Sequence, residues 1–345
     1  MKKVKTVTIV SLSRGILGES RVKHELDIGL SRLKAMGLEV RFSEHCLRGL
    51  EFIDRHPEAR ARDLLDAFQS DTDMILCSIG GDDTYRLAPY LFGHDELRDA
   101  VSDKVFLGFS DSTVNHLMLH KVGLNTFYGQ AFLSDLCELS PDMLPYTRSY
   151  FEELISTGTI RRIKPSPVWY ESRHDFSPEA VGTGMTEHEN AGFELLQGAS
   201  SFCGPILGGC IDTLYDMLGN EEYAESIELC RRYGLFPDLE EWKGKILLLE
   251  SSEVQAPPGK YRRMVRALKK TGIFKAVNGV LIGKPDGEKY FAEYKEILLE
   301  EIARPSLPVV ANISVGHALP RCIIPLGVDT VVDVEKQEIR FLTNE

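Results

Sequence analysis

The feature that most constrains this chain is an alternation in its first third. Apolar strand-like runs give way to helical patterns and return, in the order "VKTVTIVSLS", "ESRVKHELDIGLSRLKAMG", "LEVRFSE", "ARARDLLDAFQSD", "MILCSIGG", "DTYRLAPYLF" and "KVFLGFS". Such a succession can bury its apolar faces as a parallel sheet with helices on both sides. Gly37 stands where the first long helix needs a C-terminal cap. In open sheets of this class ligands gather at the carboxyl ends of the strands, and both "SIGG" and "GFSD" are expected there.

The length of 345 residues exceeds the usual size of one core and predicts about two domains. The expected division is an N-terminal α/β domain over 1–165, a polar Pro- and Gly-bearing linker over 166–195, and a mixed α/β domain over 196–345. Strands of the last are expected in "GKILLLE", "VNGVLIG", "PVVANISVG", "CIIPLG" and "EIRFL", with helices at "GCIDTLYDMLG" and "GKYRRMVRALKKTG".

A formal charge of -12 argues against a nucleic-acid polymer as partner. The 7 cysteines are scattered without a Cys-x-x-Cys pair, as suits reduced thiols and a cytoplasmic location. The opening "MKKVKTVTIVSLSRG" alternates like a strand rather than presenting an export signal, and no apolar run is long enough to predict a membrane span.

Ser110 closes an apolar run and opens a helical pattern, with Gly108 two positions before it. A sharp strand-to-helix turn exposes a side chain and places the next amide at a helix start, which suits a nucleophile. Taken alone, the segment favours a plain helix cap by Ser110 or Asp111, and Ser112 stands where a hydrolase elbow has its second glycine. In "CSIGGDDTYRL", Gly80 and Gly81 allow a tight turn ahead of Asp82 and Asp83. This run looks like the GGDGT signature of phosphofructokinases and NAD kinases, with Asp83 replacing its last glycine. A phosphotransferase therefore stays open as an alternative, although the chain has no Walker loop.

Glu250 ends the apolar run of "GKILLLESSE", Glu253 lies further into the following loop, and His317 sits in the glycine-led turn of "SVGHALPRCIIPLG". An isolated glutamate is usually solvated and a lone histidine usually structural. Together, serine, acid and histidine follow the chain order of α/β-hydrolase triads, each at an element end. His116 and His120 have a metal-ligand spacing without a third ligand to join them and are expected to be packing or surface residues.

The segments "ARARDLLDAFQSD" with "SIGGDDTYRLAPYL", "GFSDSTVNHLMLHKVGLNTFYGQ", "PILGGCIDTLYDMLG", "GKILLLESSE" and "VGHALPRCIIPLG" resemble, in order, the serine peptidase family of LD-carboxypeptidases and microcin C immunity peptidases. The resemblance implies Ser110 as nucleophile, Glu250 as acid and His317 as base, in a site between two domains that needs no cofactor or metal. It implies oxyanion donors at the backbone of Asp111 and Gly81, and a homodimer. Two departures stand out: "GGDD" differs from the Gly-Gly-Tyr of many LD-carboxypeptidases, and Cys210 occupies the place of a family asparagine.

LD-carboxypeptidases release the terminal D-amino acid of murein tetrapeptides in cell-wall recycling. The microcin branch cleaves the bond joining a peptidyl or aminoacyl group to a nucleotide. "CSIGGDD", "PYTRSYFEELI" and "PSPVWYESRHDF" resemble the second branch more, so a small peptidyl- or aminoacyl-nucleotide substrate is expected. No lysine directly follows "LESSE" to meet a phosphate; the next is Lys260. Substrate contacts are expected from Asp82, from Arg86, whose fork suits a carboxylate but equally an internal ion pair, and from Trp169, which could stack on a base or simply pack. A non-enzymatic small-ligand binder is the remaining alternative.

Overall fold

The computed structural model describes residues 3–342. The chain divides into two compact units, Met1–Thr159 with Arg173–Met185, and Ile160–Ser172 with Thr186–Glu345. The fold is α/β in each.

In the first unit, strands β1 (Thr6–Val10), β2 (Glu39–Phe42), β3 (Met74–Cys77), β4 (Val105–Gly108) and β5 (Thr126–Tyr128) lie side by side in the order β5-β4-β3-β1-β2. Every pairing among them is parallel. Strands β3 and β4 are buried throughout, which is why "MILC" and "VFLG" are continuously apolar rather than alternating. The long helices are α1 (Lys23–Ala35), α2 (Pro57–Gln69), α3 (Thr113–Lys121) and α4 (Pro145–Thr157). Pro57 begins α2 at a position where its missing N–H costs nothing, and Ala61, Leu64 and Phe68 form the buried stripe of the helix. The pattern "DTYRLAPYLF" yields two short pieces, a 3-10 turn over Thr84–Leu87 and a helix over Ala88–Phe92.

The second unit contains an antiparallel pair, β6 (Val168–Tyr170) and β7 (Glu187–Glu189). Residues 166–195, expected from the sequence as a linker, are thus partly strand, and 173–185 belong to the first unit. Two strands of 3 residues each, one Val-Trp-Tyr and one Glu-His-Glu, are too short to show a period in the sequence. The main sheet has the order β9-β10-β11-β12-β8, from β8 (Glu194–Gln197), β9 (Ile206–Cys210), β10 (Ile246–Glu250), β11 (Gly279–Gly283) and β12 (Val309–Ile313). Strands β9 to β12 run parallel, and β8 adds antiparallel at the β12 edge. Helices α5 (Ile211–Leu218), α6 (Pro258–Thr271) and α7 (Phe291–Ile302) accompany it.

In α6 the local signals agree. Pro258 starts it, left-handed Gly272 ends it, Lys269 and Lys270 meet its negative end, and Tyr261, Met264, Val265 and Leu268 form its buried stripe. A smaller antiparallel sheet joins Ser201–Cys203, Thr330–Asp333, Glu338–Phe341 and Arg162–Ile163. No helix among the described residues is long and apolar enough to cross a membrane.

Candidate active site

Two clusters of chemistry-bearing residues form at strand ends, one in each unit. In the first, β4 stops at Gly108 and the chain turns into α3 through Ser110, whose φ of 64° lies in the left-handed region. A non-glycine residue held there stores strain, and it turns the serine out of the strand's ladder. The turn is pinned on both sides: the Ser110 amide donates to the Tyr128 hydroxyl at 3.1 Å, and Thr113 Oγ1 donates to the Ser110 carbonyl at 2.7 Å. Asp111 is buried and its carboxylate accepts the Thr84 amide at 2.9 Å; burial raises its pKa. Its side chain is therefore structural, whereas its backbone N–H follows the serine.

The glycine loop after β3 comes directly against this turn. A Cβ at Gly80 would lie 2.7 Å from Ser110 Cβ and 2.9 Å from its Oγ, so only glycine admits the approach. The two motifs singled out in the sequence, "SIGG" and "GFSD", are thus one structure. Asp82 is exposed on the loop, its amide donating to Ser13 Oγ at 3.1 Å.

Asp83 faces inward. Arg60, fully buried on α2, binds it with a fork at 2.6 and 3.0 Å and also donates to the carbonyls of Leu12 and Ser13. Arg86 adds a contact of 3.0 Å to Asp83 and donates to the Asp54 carbonyl at 2.8 Å. The second aspartate of "GGDD" is accordingly the anchor of the loop, and the Arg86 guanidinium helps hold it. Arg60 was missed from the sequence, although a charged residue on the apolar stripe of "PEARARDLL" is the signal that could have found it.

His116 is fully buried, between Thr126 Oγ1 at 2.7 Å and the Gly108 carbonyl at 3.1 Å. Burial lowers its pKa to about 4, so it is a neutral strut beneath the serine turn.

In the second unit, Glu250 ends β10 and His317 follows β12. His317 Nδ1 donates to Glu250 Oε2 at 2.7 Å, with the histidine side chain 7% and the glutamate side chain 0% exposed. Gly316 makes the fit: it has φ 91°, and a Cβ there would fall 2.3 Å from the Glu250 carboxylate. Arg321 ties the turn by donating to the carbonyls of Gly316 and His317. The other ring nitrogen, Nε2, lies 3.1 Å from Oε2 of Glu253. Burial opposes the charged ring, but attraction and hydrogen bonding from Glu250, and then from Glu253, outweigh it and hold the His317 pKa up at about 10. The hydrogen bond to His317 in turn brings Glu253 down to about 2.

Cys210, in register beside Glu250, is fully buried; desolvation first and the Glu250 charge second push its thiol pKa up. Sulfur, carboxylate and imidazole atoms of Cys210, Glu250 and His317 all fall within 4.8 Å of one another, with the carboxylate and the imidazole already hydrogen-bonded to each other. Trp169 on β6 is half-buried, stacked on His188 at 4.3 Å, with the Lys284 ammonium 5.3 Å above its ring. Glu253 and Lys284 carried no distinguishing sequence signal.

The first unit holds a half-buried serine at a strand-to-helix turn beside a glycine loop, and the second, by itself, an oriented imidazole–carboxylate pair. These are the parts of acyl transfer. Comparison with known proteins agrees in class. Residues 7–129 match the LD-carboxypeptidase N-terminal domain and residues 203–332 the LD-carboxypeptidase C-terminal domain. A crystal structure of an MccF-like protein from Streptococcus pneumoniae in complex with AMP is 56% identical, with a TM-score of 0.98, over 99% of this chain and 100% of that one. The microcin C7 self-immunity protein MccF of Escherichia coli is 25% identical over 79% of this chain and 74% of its own. A structure of MccF with aspartyl sulfamoyl adenosine matches at 20% identity and a TM-score of 0.79, over 100% of this chain and 97% of that one, and shows the shared fold alone.

Proposed function

The chain belongs to the LD-carboxypeptidase family, and from that premise we propose that it is a serine hydrolase that cleaves the acyl–nitrogen bond of aminoacyl- or peptidyl-nucleotides. The observation that carries the hydrolase reading is the His317–Glu250 pair: a buried carboxylate on Nδ1 orients the ring so that Nε2, once neutral and released by Glu253, accepts a proton. The AMP bound by the Streptococcus pneumoniae relative supports a nucleotide in the substrate.

In this reading His317 Nε2 takes the proton of Ser110 Oγ as the oxygen attacks the acyl carbon. The carbonyl electron pair moves to oxygen, where the amides of Asp111 and Gly81 donate to it; each such donor is worth about 3 kcal/mol in comparable sites. The C–N bond breaks as His317 returns the proton to the leaving nitrogen. A water molecule then attacks the acyl-enzyme by the same route, releasing the amino acid or peptide and regenerating the serine. Glu250 stabilises the imidazolium in both halves. Trp169 offers a ring for the base to stack on, and Asp82 an exposed polar contact at the glycine loop.

The test compares wild type with Ser110→Ala and His317→Ala in metal-free buffer on aspartyl sulfamoyl adenosine and on a murein tetrapeptide. Wild-type turnover of the nucleoside conjugate, lost by about a thousandfold or more in both variants, is the expected result. Undiminished hydrolysis by Ser110→Ala would sink the proposal, and cleavage of the tetrapeptide alone would transfer the substrate to the other branch of the family.

A further inference from the structure

Glu253 stands where a nucleophile has to go. Its carboxylate holds Nε2 of His317 at 3.1 Å, the nitrogen through which a general base acts. The two carboxylates around the ring are built differently: the Glu250 side chain is fully enclosed, whereas that of Glu253 is 69% exposed on the turn that follows β10. The turn backbone is fixed, with the Ser252 amide on Asp212 at 3.0 Å and the Gln255 amide on the Ser252 carbonyl at 3.1 Å. Glu253 can therefore swing at its side chain without the loop moving.

Once a hydroxyl takes Nε2, that carboxylate loses the imidazole, keeps the hydrogen bond of its own backbone amide, and keeps its charge. The neighbouring Arg321 guanidinium already donates to the carbonyls of Gly316 and His317. An aminoacyl substrate brings a replacement. Covalent geometry puts its α-nitrogen about 2.5 Å from the carbon under attack. With the attacking oxygen within hydrogen-bond reach of Nε2, the α-nitrogen is brought to the same side of the ring as the Glu253 carboxylate, which lies 3.1 Å from that ring nitrogen and can turn to meet the substrate. A free amino acid presents an ammonium there, and an acylated or internal residue presents a neutral amide.

We propose that Glu253 is the recognition group for the free α-ammonium of the substrate, passing from the imidazole to that ammonium as the substrate seats. It thereby makes the protein selective for aminoacyl conjugates over Nα-blocked and longer peptidyl ones. The inference rests on the hydrolase reading above and narrows its substrate class.

The experiment measures kcat and KM for aspartyl sulfamoyl adenosine and its Nα-acetyl derivative, with wild type, Glu253→Gln and Ser110→Ala, all at one pH of about 7, where the α-amine still carries its proton. Dissociation constants of both ligands on Ser110→Ala provide a readout without turnover. Expected are a wild-type preference of at least tenfold for the free amine, the same preference in binding, and its collapse towards unity in Glu253→Gln through a higher KM for the free amine alone. Equal wild-type efficiency on both compounds with Ser110→Ala inactive overturns this inference and leaves the hydrolase intact. An equal loss on both compounds in Glu253→Gln also overturns it, since Glu253 would then act only on the ring. Absence of cleavage of either compound by wild type removes the hydrolase reading and this inference together.

Discussion

Nδ1 of His317 and Oε2 of Glu250 face each other at 2.7 Å, and the glutamate side chain has no exposed surface. A carboxylate so placed has one chemical use, to hold the ring and its charge. Glu250→Gln keeps the shape but offers the ring an amide that can donate to Nδ1 and stabilise the wrong tautomer. A loss of about a thousandfold to ten-thousandfold in kcat is expected, with little change in binding. Steady-state kinetics and far-UV circular dichroism on the same preparation check it; unchanged kcat would remove Glu250 from the chemistry.

The second carboxylate sets a pH dependence. Around the His317 ring are Glu250 and Glu253, which favour its charged form, the Cys210 thiol, which burial pushes up and keeps neutral, and the Arg321 guanidinium behind the turn. Burial disfavours the charged ring, yet the net position is about 10. The general base acts in its neutral form, so kcat/KM of the free protein should climb with pH towards about 10. Removing the Glu253 charge should move that acid limb to lower pH, and a profile of Glu253→Gln superposable on wild type would contradict it. Stability runs the opposite way: the pairing contributes fully below the ring's ordinary value of 6.5 and is lost as pH rises through about 10.

Arg60 and Asp83 make a buried fork in the first unit. Removing the arginine leaves a carboxylate with reduced compensation, which costs about 3–5 kcal/mol in comparable buried pairs. Arg60→Met should therefore lower the stability of the first unit, and Arg60→Met with Asp83→Asn should recover part of it. Hydrogen exchange at α2 and at the glycine loop reads the effect. Single and double variants of equal stability would show that the fork holds nothing.

These residues also show what a sequence exposes. The parallel core was legible because β3 and β4 are buried on both faces, leaving "MILC" and "VFLG" no polar position. The strand-end placement of Ser110 and Glu250 followed from where those runs stop. Arg60 was not legible, because its partner Asp83 is distant in sequence and a helix wheel does not name an ion pair. Of the ribbon, Glu187–Glu189 was hidden by its polar composition and Val168–Tyr170 by its length of 3 residues. Glu253 was hidden because an exposed glutamate in a loop carries no signal, and only the position of the His317 ring gives it a partner.

His116 supplies a separate acid-side prediction. It is fully buried, with Nε2 donating to the Gly108 carbonyl at 3.1 Å and Nδ1 accepting from Thr126 Oγ1 at 2.7 Å, so the neutral ring is satisfied and a second proton would force the Thr126 hydroxyl to turn from donor to acceptor. Burial holds its pKa down at about 4 against an ordinary 6.5. The unfolded chain therefore binds a proton that the folded chain refuses. Stability is full above about 6.5 and falls as pH drops towards 4, by about 3 kcal/mol in all. Trp169 and Trp242 both belong to the second unit, so fluorescence does not follow this event. Hydrogen exchange of the α3 amides between pH 7 and 4.5, corrected for intrinsic rates, should show the loss in wild type. His116→Gln should be less stable at pH 7 but should show a flatter dependence, and the same slope in both proteins would assign the acid sensitivity elsewhere.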